Sequence, residues 1–597
     1  MDLYAFYTGQ EFEAYRFLGA HPGGPGWAVF RTYAPSALAV GLIGDFNGWQ
    51  ETPMERVLDG NFWEVWVEGA EPGMRYKYRI TGPDGRSLDH CDPYGFGSEL
   101  RPGTASVFWP LDGYYFEDGD WMANRGARFD GPMNIYEAHF GSWLRKPEEE
   151  GGGWYAYEEL AGRLIPHLQE NGFNFLELMP LTEHPCDASW GYQSTGFFCP
   201  SARYGAPDGL RYFIDCCHQG GIGVILDFAP VHFAVDDYAL RNYDGTPLYE
   251  YPDSAAGGSE WGSCNFIHSR GEVRSFLQSA ALYWLREFHA DGLRMDAVSN
   301  LIYWQGDPAR GENQDGICFL QQMNRGLKYR EPGAILIAED STAFPGVTRP
   351  AEEGGLGFDY KWDLGWTHDT LAYFQSGPEY RPDLGHLLTF SMEYYPNERY
   401  LLPLSHDEVV HGKATILQKM QGDYEGKFPQ CRAFYLYMMG HPGKKLNFMG
   451  NEIGQFREWD ENRQQDWNLL EYPLHDGFFQ FIRALNELYL NCPAFWAEDC
   501  WPGGFAWLEG MDPRRCLFGF ERRGGGQRLV FLFNFSGQEQ PFWLWVPGAK
   551  ALWPLLSSDW QPFGGTEPVD QGPVGLEEGA VELSLSPFSG HCLAAEE

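Results

Sequence analysis

The sequence predicts a multidomain chain built on a central (β/α)8 TIM barrel, flanked by an N-terminal β-sandwich and a C-terminal β-sandwich domain. Three observations carry that prediction. At 597 residues the chain is too long for one hydrophobic core. From about residue 134 short apolar runs alternate with longer amphipathic stretches, the pattern of parallel strands and covering helices. On either side lie short strand-like runs punctuated by Gly, Pro, Asp and Asn.

Residues 1–112 read as the first β domain, with strands expected at 27–33, 39–43, 62–67 and 76–80. Gly44-Asp-Phe-Asn-Gly-Trp49 reads as a hairpin turn with a packed Trp. The segment 113–130, rich in Gly, Asp and aromatics, reads as a linker. Barrel strands are expected at 135–140, 173–178, 224–227, 292–296, 334–339, 358–362, 400–404 and 446–449, within a catalytic domain at 131–499. A helix is expected over 273–289, where Phe276, Leu277, Ala280, Ala281, Trp284, Leu285 and Phe288 recur near helical spacing. The gap at about 232–265 reads as a loop excursion over the barrel mouth. A doubly wound sheet is the alternative, but its Gly-rich phosphate loop after an early strand is missing. Residues 500–597 read as an all-β domain with strands at 528–533, 541–546 and 581–585, expected to stabilise the barrel rather than bind a ligand.

Composition narrows the partners. With 83 acidic against 43 basic residues the formal charge is -40, which disfavours nucleic acid and anionic membranes. No apolar run is long enough for a membrane span. Met1-Asp-Leu-Tyr-Ala-Phe-Tyr7 has no basic, then apolar, leader pattern, and the 12 Cys are scattered without a C-x-x-C pair. Reduced thiols in the cytoplasm are the expectation. The 23 Trp and 33 Tyr suit a neutral, hydroxyl-rich ligand, although core packing is the commoner fate of an aromatic ring.

Chemistry is read from the strand ends. On the strand 292–296 Arg294 and Asp296 are two apart and share a face, either as a buried structural ion pair or as a carboxylate held ionised by its neighbour. Asp227 and Glu339 close other apolar strands, and His406 and Asp407 follow 400–404. Strand ends of a (β/α)8 barrel converge on the face where active sites are built. There is no nucleophile-elbow Ser, Walker loop or H-E-x-x-H helix. Carboxylates with His and Arg helpers fit glycoside cleavage: Asp296 as ionised nucleophile, Glu339 as the general acid whose pKa desolvation would raise, and Asp407 gripping sugar hydroxyls. Asp227 and His232, if at the same mouth, would hydrogen-bond sugar or support the other groups. A metal site made from these acids is the competing reading.

The ordered segments Asp227-Phe-Ala-Pro-Val-His232, Gly292-Leu-Arg-Met-Asp296, Ala338-Glu-Asp-Ser-Thr342 and Leu404-Ser-His-Asp407 resemble the four signature regions of the α-amylase-type glycoside hydrolase superfamily (family 13). Tyr136-Glu-Ala-His-Phe-Gly-Ser-Trp143, Gly191-Tyr-Gln-Ser-Thr-Gly-Phe-Phe198 and Gly450-Asn-Glu-Ile-Gly-Gln-Phe-Arg-Glu-Trp459 narrow the resemblance to the 1,4-α-glucan branching enzymes. It runs through nearly the whole chain, beginning with a sandwich similar to a family-48 carbohydrate-binding module. The resemblance implies Asp296 as nucleophile, Glu339 as general acid/base and Asp407 as transition-state stabiliser. It also implies that Tyr192 stacks under the sugar, while Asp227, His232, Arg294 and His406 bind it. It implies an α-1,4-glucan as partner, with neither an organic cofactor nor a metal. A monomer or small homo-oligomer is expected. The chain departs from the family at Phe228 and at Tyr303-Trp-Gln-Gly306. An α-glucan hydrolase, amylase-like or debranching, would use the same carboxylates, and a catalytically silent glucan-binding protein would need none of them.

Overall fold

The computed structural model describes residues 1–569 and 572–597. Eight strands close a parallel barrel in chain order: β1 (Asn134–Ala138), β2 (Phe175–Leu178), β3 (Gly223–Phe228), β4 (Gly292–Met295), β5 (Ile335–Ala338), β6 (Tyr360–Trp362), β7 (Tyr400–Leu404) and β8 (Lys444–Phe448). Each coincides with one expected strand to within a few residues. All their residues are buried, as parallel strands covered on both faces require, which is why most read as apolar runs, with Lys361, Lys444 and Lys445 as buried exceptions. The chain divides into two compact units, the first made of Met1–Gly126, Arg145–Ile165 and Leu178–Asp359, the second of Ala127–Leu144, Pro166–Glu177 and Tyr360–Glu597.

In the first unit the N-terminal strands form two antiparallel sheets. One runs Gly19–Gly24, Trp27–Tyr33, Phe62–Glu68, Glu55–Val57; the other is centred on Ala39–Gly44 and Arg75–Thr81. Phe30 from one sheet meets Tyr76 from the other at 4.9 Å, edge to face, and both are fully buried. The Trp49 turn departs from expectation. A 3-10 turn at Asp45–Asn47 places Trp49 at positive φ and 36% exposed, its indole N–H donating to Asp45 Oδ1 at 3.0 Å. The first residues lie along the helix Gly271–Glu287, which covers the expected 273–289. Ser275 Oγ donates to the Phe6 carbonyl (2.9 Å), Gln278 Nε2 to the Gly9 carbonyl (2.7 Å), and the Ala14 N–H to Ser279 Oγ (3.1 Å).

The segment expected as a linker is instead partly helical and firmly anchored. It carries the helix Gly119–Asn124, preceded by Asp118, which is buried. His218 donates from Nδ1 to Asp118 Oδ2 (2.7 Å) and from Nε2 to Asp291 Oδ2 (2.9 Å). Trp121 Nε1 donates to the other Asp291 oxygen (2.8 Å), and the Val224 N–H to Asp291 Oδ2 (2.7 Å). Asp291 stands just before β4, so this network ties the segment to the entry ends of β3 and β4.

In the second unit the C-terminal strands make a six-stranded sheet, and β9 (Gln540–Trp545) pairs antiparallel with β10 (Ala580–Leu585) as a separate two-stranded sheet. Phe542, Leu544 and Leu585 pack with Val530, Leu532 and Leu552 of the larger sheet, giving the sandwich core. Buried arginines join this domain to the barrel helix Tyr424–Gly440: Arg432 Nε donates to the Ser558 carbonyl (2.6 Å), and Arg522 Nη1 to the Gly440 carbonyl (2.8 Å). No helix among the described residues is long and apolar enough to cross a membrane.

With both ring nitrogens donating to carboxylates, His218 is an imidazolium. Burial alone would lower its pKa, but the bonds to Asp118 and Asp291 raise it above its ordinary value. A histidine raised in this way adds stability that is complete below its unfolded pKa of about 6.5 and is lost as pH rises through the folded value. His218→Gln is expected to cost about 3–5 kcal/mol at pH 6 and distinctly less at pH 9. Thermal unfolding at the two pH values checks this; equal losses at both would show that the charge contributes nothing.

Candidate active site

The register of β3, β4 and β5 builds the centre of the site. Asp227 lies beside Arg294, Met295 beside Ala338, and the Glu339 N–H donates to the Met295 carbonyl at 3.0 Å. Asp227 and Arg294 are thus in-plane neighbours, and one residue beyond the last paired positions come Asp296 and Glu339. Arg294 is shared rather than paired once. Its Nη1 lies 2.7 Å from each Asp227 oxygen and 3.0 Å from Asp296 Oδ1, while Nη2 lies 3.4 Å from Glu339 Oε2. Burial alone would lower the guanidinium pKa; the charge of Asp227 first, then the Tyr192 oxygen and the charges of Asp296 and Glu339, raise it well above its ordinary value.

The expected partnership of Arg294 with Asp296 is present, but Asp227 is the closer partner and the fully buried one. The Asp227 side chain is 1% exposed, against 16% for Asp296 and 20% for Glu339. Glu339 is accordingly less enclosed than the apolar strand before it implied. Its position is set by a hydrogen bond that sequence gave no sign of. The Ala297 N–H, turned by a positive φ of 48°, donates to Glu339 Oε2 at 2.7 Å.

Tyr192 joins the same cluster. Its hydroxyl donates to Asp227 Oδ2 (2.5 Å) and accepts from Arg294 Nη1 (3.1 Å). The turn that delivers it needs Gly191, whose φ is 95° and whose Cβ, if present, would fall 2.3 Å from the Pro180 carbonyl oxygen. His232 pairs with Asn265 across a two-residue ladder and packs its ring 5.1 Å from Trp261. The excursion at 232–265 therefore has structure of its own, including the short helix Ser254–Gly257. His232 is buried, and its Nδ1 has no hydrogen-bond partner among the described residues.

In the second unit, β7 ends at Leu404 and His406 opens a short 3-10 turn, His406–Val409, that carries Asp407. Glu137, inside β1, grips His406 twice, accepting from the His406 backbone N–H (2.9 Å) and from Nδ1 (2.5 Å). That fixes the ring and leaves Nε2 3.6 Å from Asp407 Oδ1. Asp407 is the most open of the named carboxylates, with its side chain 49% exposed. Glu137 was not singled out from sequence. An acid inside an otherwise apolar strand was the available signal, but its partner lies 269 residues away. Among the described residues no group of three or more His, Cys, Asp or Glu side chains is arranged to hold a metal ion.

A closed parallel barrel in chain order, with acids at successive strand ends, has the architecture of a (β/α)8 enzyme. Solved pullulanases share the fold. The one from Bacillus acidopullulyticus superposes with a TM-score of 0.74 at 17% identity, covering 97% of this chain and 74% of that one. Pullulanase type I from Bacillus subtilis str. 168 gives 0.75 at 17% identity, covering 97% and 85%. Residues 17–95 match the family model of carbohydrate-binding module 48 (isoamylase N-terminal domain). Two relatives named 1,4-alpha-glucan branching enzyme GlgB span almost the full length. The chain is 42% identical to that of Nitratidesulfovibrio vulgaris (strain Hildenborough) over 620 residues, covering 99% of this chain and 97% of the relative. It is 43% identical to that of Bacillus caldolyticus over 577 residues, covering 95% and 86%. The chain belongs to the family of the 1,4-alpha-glucan branching enzymes.

Burial pushes the His232 pKa down to about 4. The ring is therefore neutral above about pH 5, and no activity limb near pH 6–7 arises from it. His232→Gln is expected to lower the rate roughly tenfold, through about 1–2 kcal/mol of lost hydrogen bonding, without moving the acid-limb midpoint. A pH–rate profile of the variant tests this; a midpoint shifted by a full pH unit would contradict it.

Proposed function

We propose that this chain is a 1,4-α-glucan branching enzyme, cutting an α-1,4-glucan chain and transferring it to a glucan 6-hydroxyl to create an α-1,6 branch in glycogen. Family membership across the full length supports the activity. What supports the chemistry is one observation above the others: a single buried guanidinium touches Asp227, Asp296 and Glu339. One guanidinium in contact with both Asp296 and Glu339 is the arrangement expected for the short separation of about 5–5.5 Å between the carboxyl groups of retaining glycosidases.

In the proposed reaction an Asp296 oxygen attacks C1 of the sugar and forms a glucosyl ester. Glu339 gives its proton to the departing O4, so the leaving chain departs as a neutral alcohol. Glu339, now a carboxylate, takes the proton from an acceptor 6-hydroxyl, whose oxygen attacks C1 and expels Asp296. Two displacements at C1 retain the α configuration, and the carboxyl of Glu339 is reprotonated for the next cycle. Arg294 holds Asp296 ionised for attack and neutralises part of the charge of the cluster. Asp407 binds sugar hydroxyls as the ring flattens, beside a His406 that Glu137 keeps oriented. Tyr192 offers its ring to the sugar, and Asp227, fully committed to Arg294 and Tyr192, acts by positioning both. We place the enzyme in the cytoplasm as a monomer or small homo-oligomer, with the glucan as its partner.

Hydrolysis shares every step except the last acceptor, so products decide between the two. Incubation with amylose, followed by proton NMR alongside a reducing-end assay, is expected to show new α-1,6 signals with nearly constant reducing ends. Rising reducing ends without α-1,6 signals would make the chain a hydrolase. Asp296→Ala is expected to lower the rate by about 10⁴-fold or more, on the scale of lost nucleophiles in other enzymes, with little change in Tm. Undiminished glucan processing by that variant would remove Asp296 from its role.

A further inference from the structure

The strand β9 alternates strictly between core and solvent. Phe542, Leu544 and Val546 point into the C-terminal sandwich, while Pro541, Trp543 and Trp545 face water. Trp543 is 51% and Trp545 37% exposed. Two residues apart on one strand, the indoles stand roughly 7 Å from each other. Directly across the ladder Trp543 faces Glu582, Trp545 faces Ala580 and Pro541 faces Ser584, so these side chains share the same face. Ser584 in turn hydrogen-bonds Glu539.

Neither indole is used by the fold. Neither N–H has a protein acceptor and neither ring meets another ring or a cation among the described residues. Trp553 of the same domain differs, donating from Nε1 to Glu596 Oε2 at 2.7 Å. The platform is nonetheless rigid. Its inward face is locked in the core, and the edge of β9 is backed by Gly510, where a Cβ would fall 1.8 Å from the Trp543 carbonyl oxygen. Two exposed aromatic surfaces with free N–H donors thus stand side by side on a packed strand, next to a carboxylate and a hydroxyl.

We propose that Trp543 and Trp545 form a second glucan-binding platform, on which consecutive sugar rings of an α-1,4-glucan chain stack while Glu582 and the Ser584–Glu539 pair accept and donate hydrogen bonds to its hydroxyls. Charge selects this occupant. A chain of net charge -40 with Glu582 at the centre of the patch repels nucleic acid and anionic lipid. A protein partner would have to desolvate Glu582 beside Trp543, and Glu is depleted from interface cores for that reason. A neutral polyol meets the carboxylate with hydroxyl donors instead. The choice of an α-glucan rests on the branching-enzyme reading, and the platform would hold a long donor or acceptor chain that the catalytic residues also engage.

The test uses the full-length protein. Electrophoresis in native gels containing glycogen is expected to retard the wild type. The double variant W543A/W545A should lose most of that retardation, and W543Y/W545Y should keep it. In the wild type, maltoheptaose is expected to slow amide hydrogen exchange in 540–545 and 580–585, a readout that needs no variant to fold. Formation of α-1,6 linkages from short amylose should be the same in all three proteins. Retardation unchanged in the alanine variant, or no protection of the two strands, overturns the platform. A lower mass by light scattering in the alanine variant overturns it too, because the face would then be a contact between copies. A wild type that is retarded but forms no α-1,6 linkages refutes the branching reading and leaves the platform standing.

Discussion

A guanidinium that is 1% exposed needs compensating charge close by, and the Nη1 and Nη2 groups of Arg294 are met by three carboxylates and a tyrosine hydroxyl. The parallel register makes this possible by setting Asp227 beside Arg294, one step short of the positions where Asp296 and Glu339 emerge. The cluster divides its labour by depth. Asp227 lies deepest and carries most of the compensation for the buried cation, which leaves Asp296 and Glu339 nearer to solvent. Removing Asp227 would therefore disturb the other two without either being touched.

The second unit repeats the device with other residues. Glu137 takes both a backbone and a side-chain proton donor of His406, so a buried acid orients a ring that stands beside Asp407. In both places the most buried carboxylate is held by protein donors, and the acid beside it is the more exposed of the two.

Much of this was legible in sequence. Parallel barrel strands are covered on both faces, so most of the eight stand out as apolar runs, and an acid at the end of such a run marks the mouth. What sequence could not give is lateral: which neighbour Arg294 prefers, or that Ala297 turns its N–H toward Glu339, depends on register between strands distant in the chain. Glu137 was hidden for the same reason. The segment 113–130 looked like a linker because its partners, His218 and Asp291, come much later. Trp49 and Trp543 show the converse limit. A strand or turn pattern says that a Trp has a side, and only the packed structure says whether that side is core or water.

The clasp between Phe6, Gly9, Ala14 and the helix Gly271–Glu287 also governs how the chain can be made. Ser275 and Gln278 follow their partners Phe6 and Gly9 by 269 residues. At about 5–20 residues added per second, the first segment leaves the ribosome roughly 13–54 s before its binding surface exists. Through that interval Phe6 already has its ring partners Tyr7, Tyr33 and Phe62, whereas Phe12 waits still longer, for Gly326 and Arg330. The hydrogen bonds that hold these residues to the helix are thus among the later ones of the first unit to form.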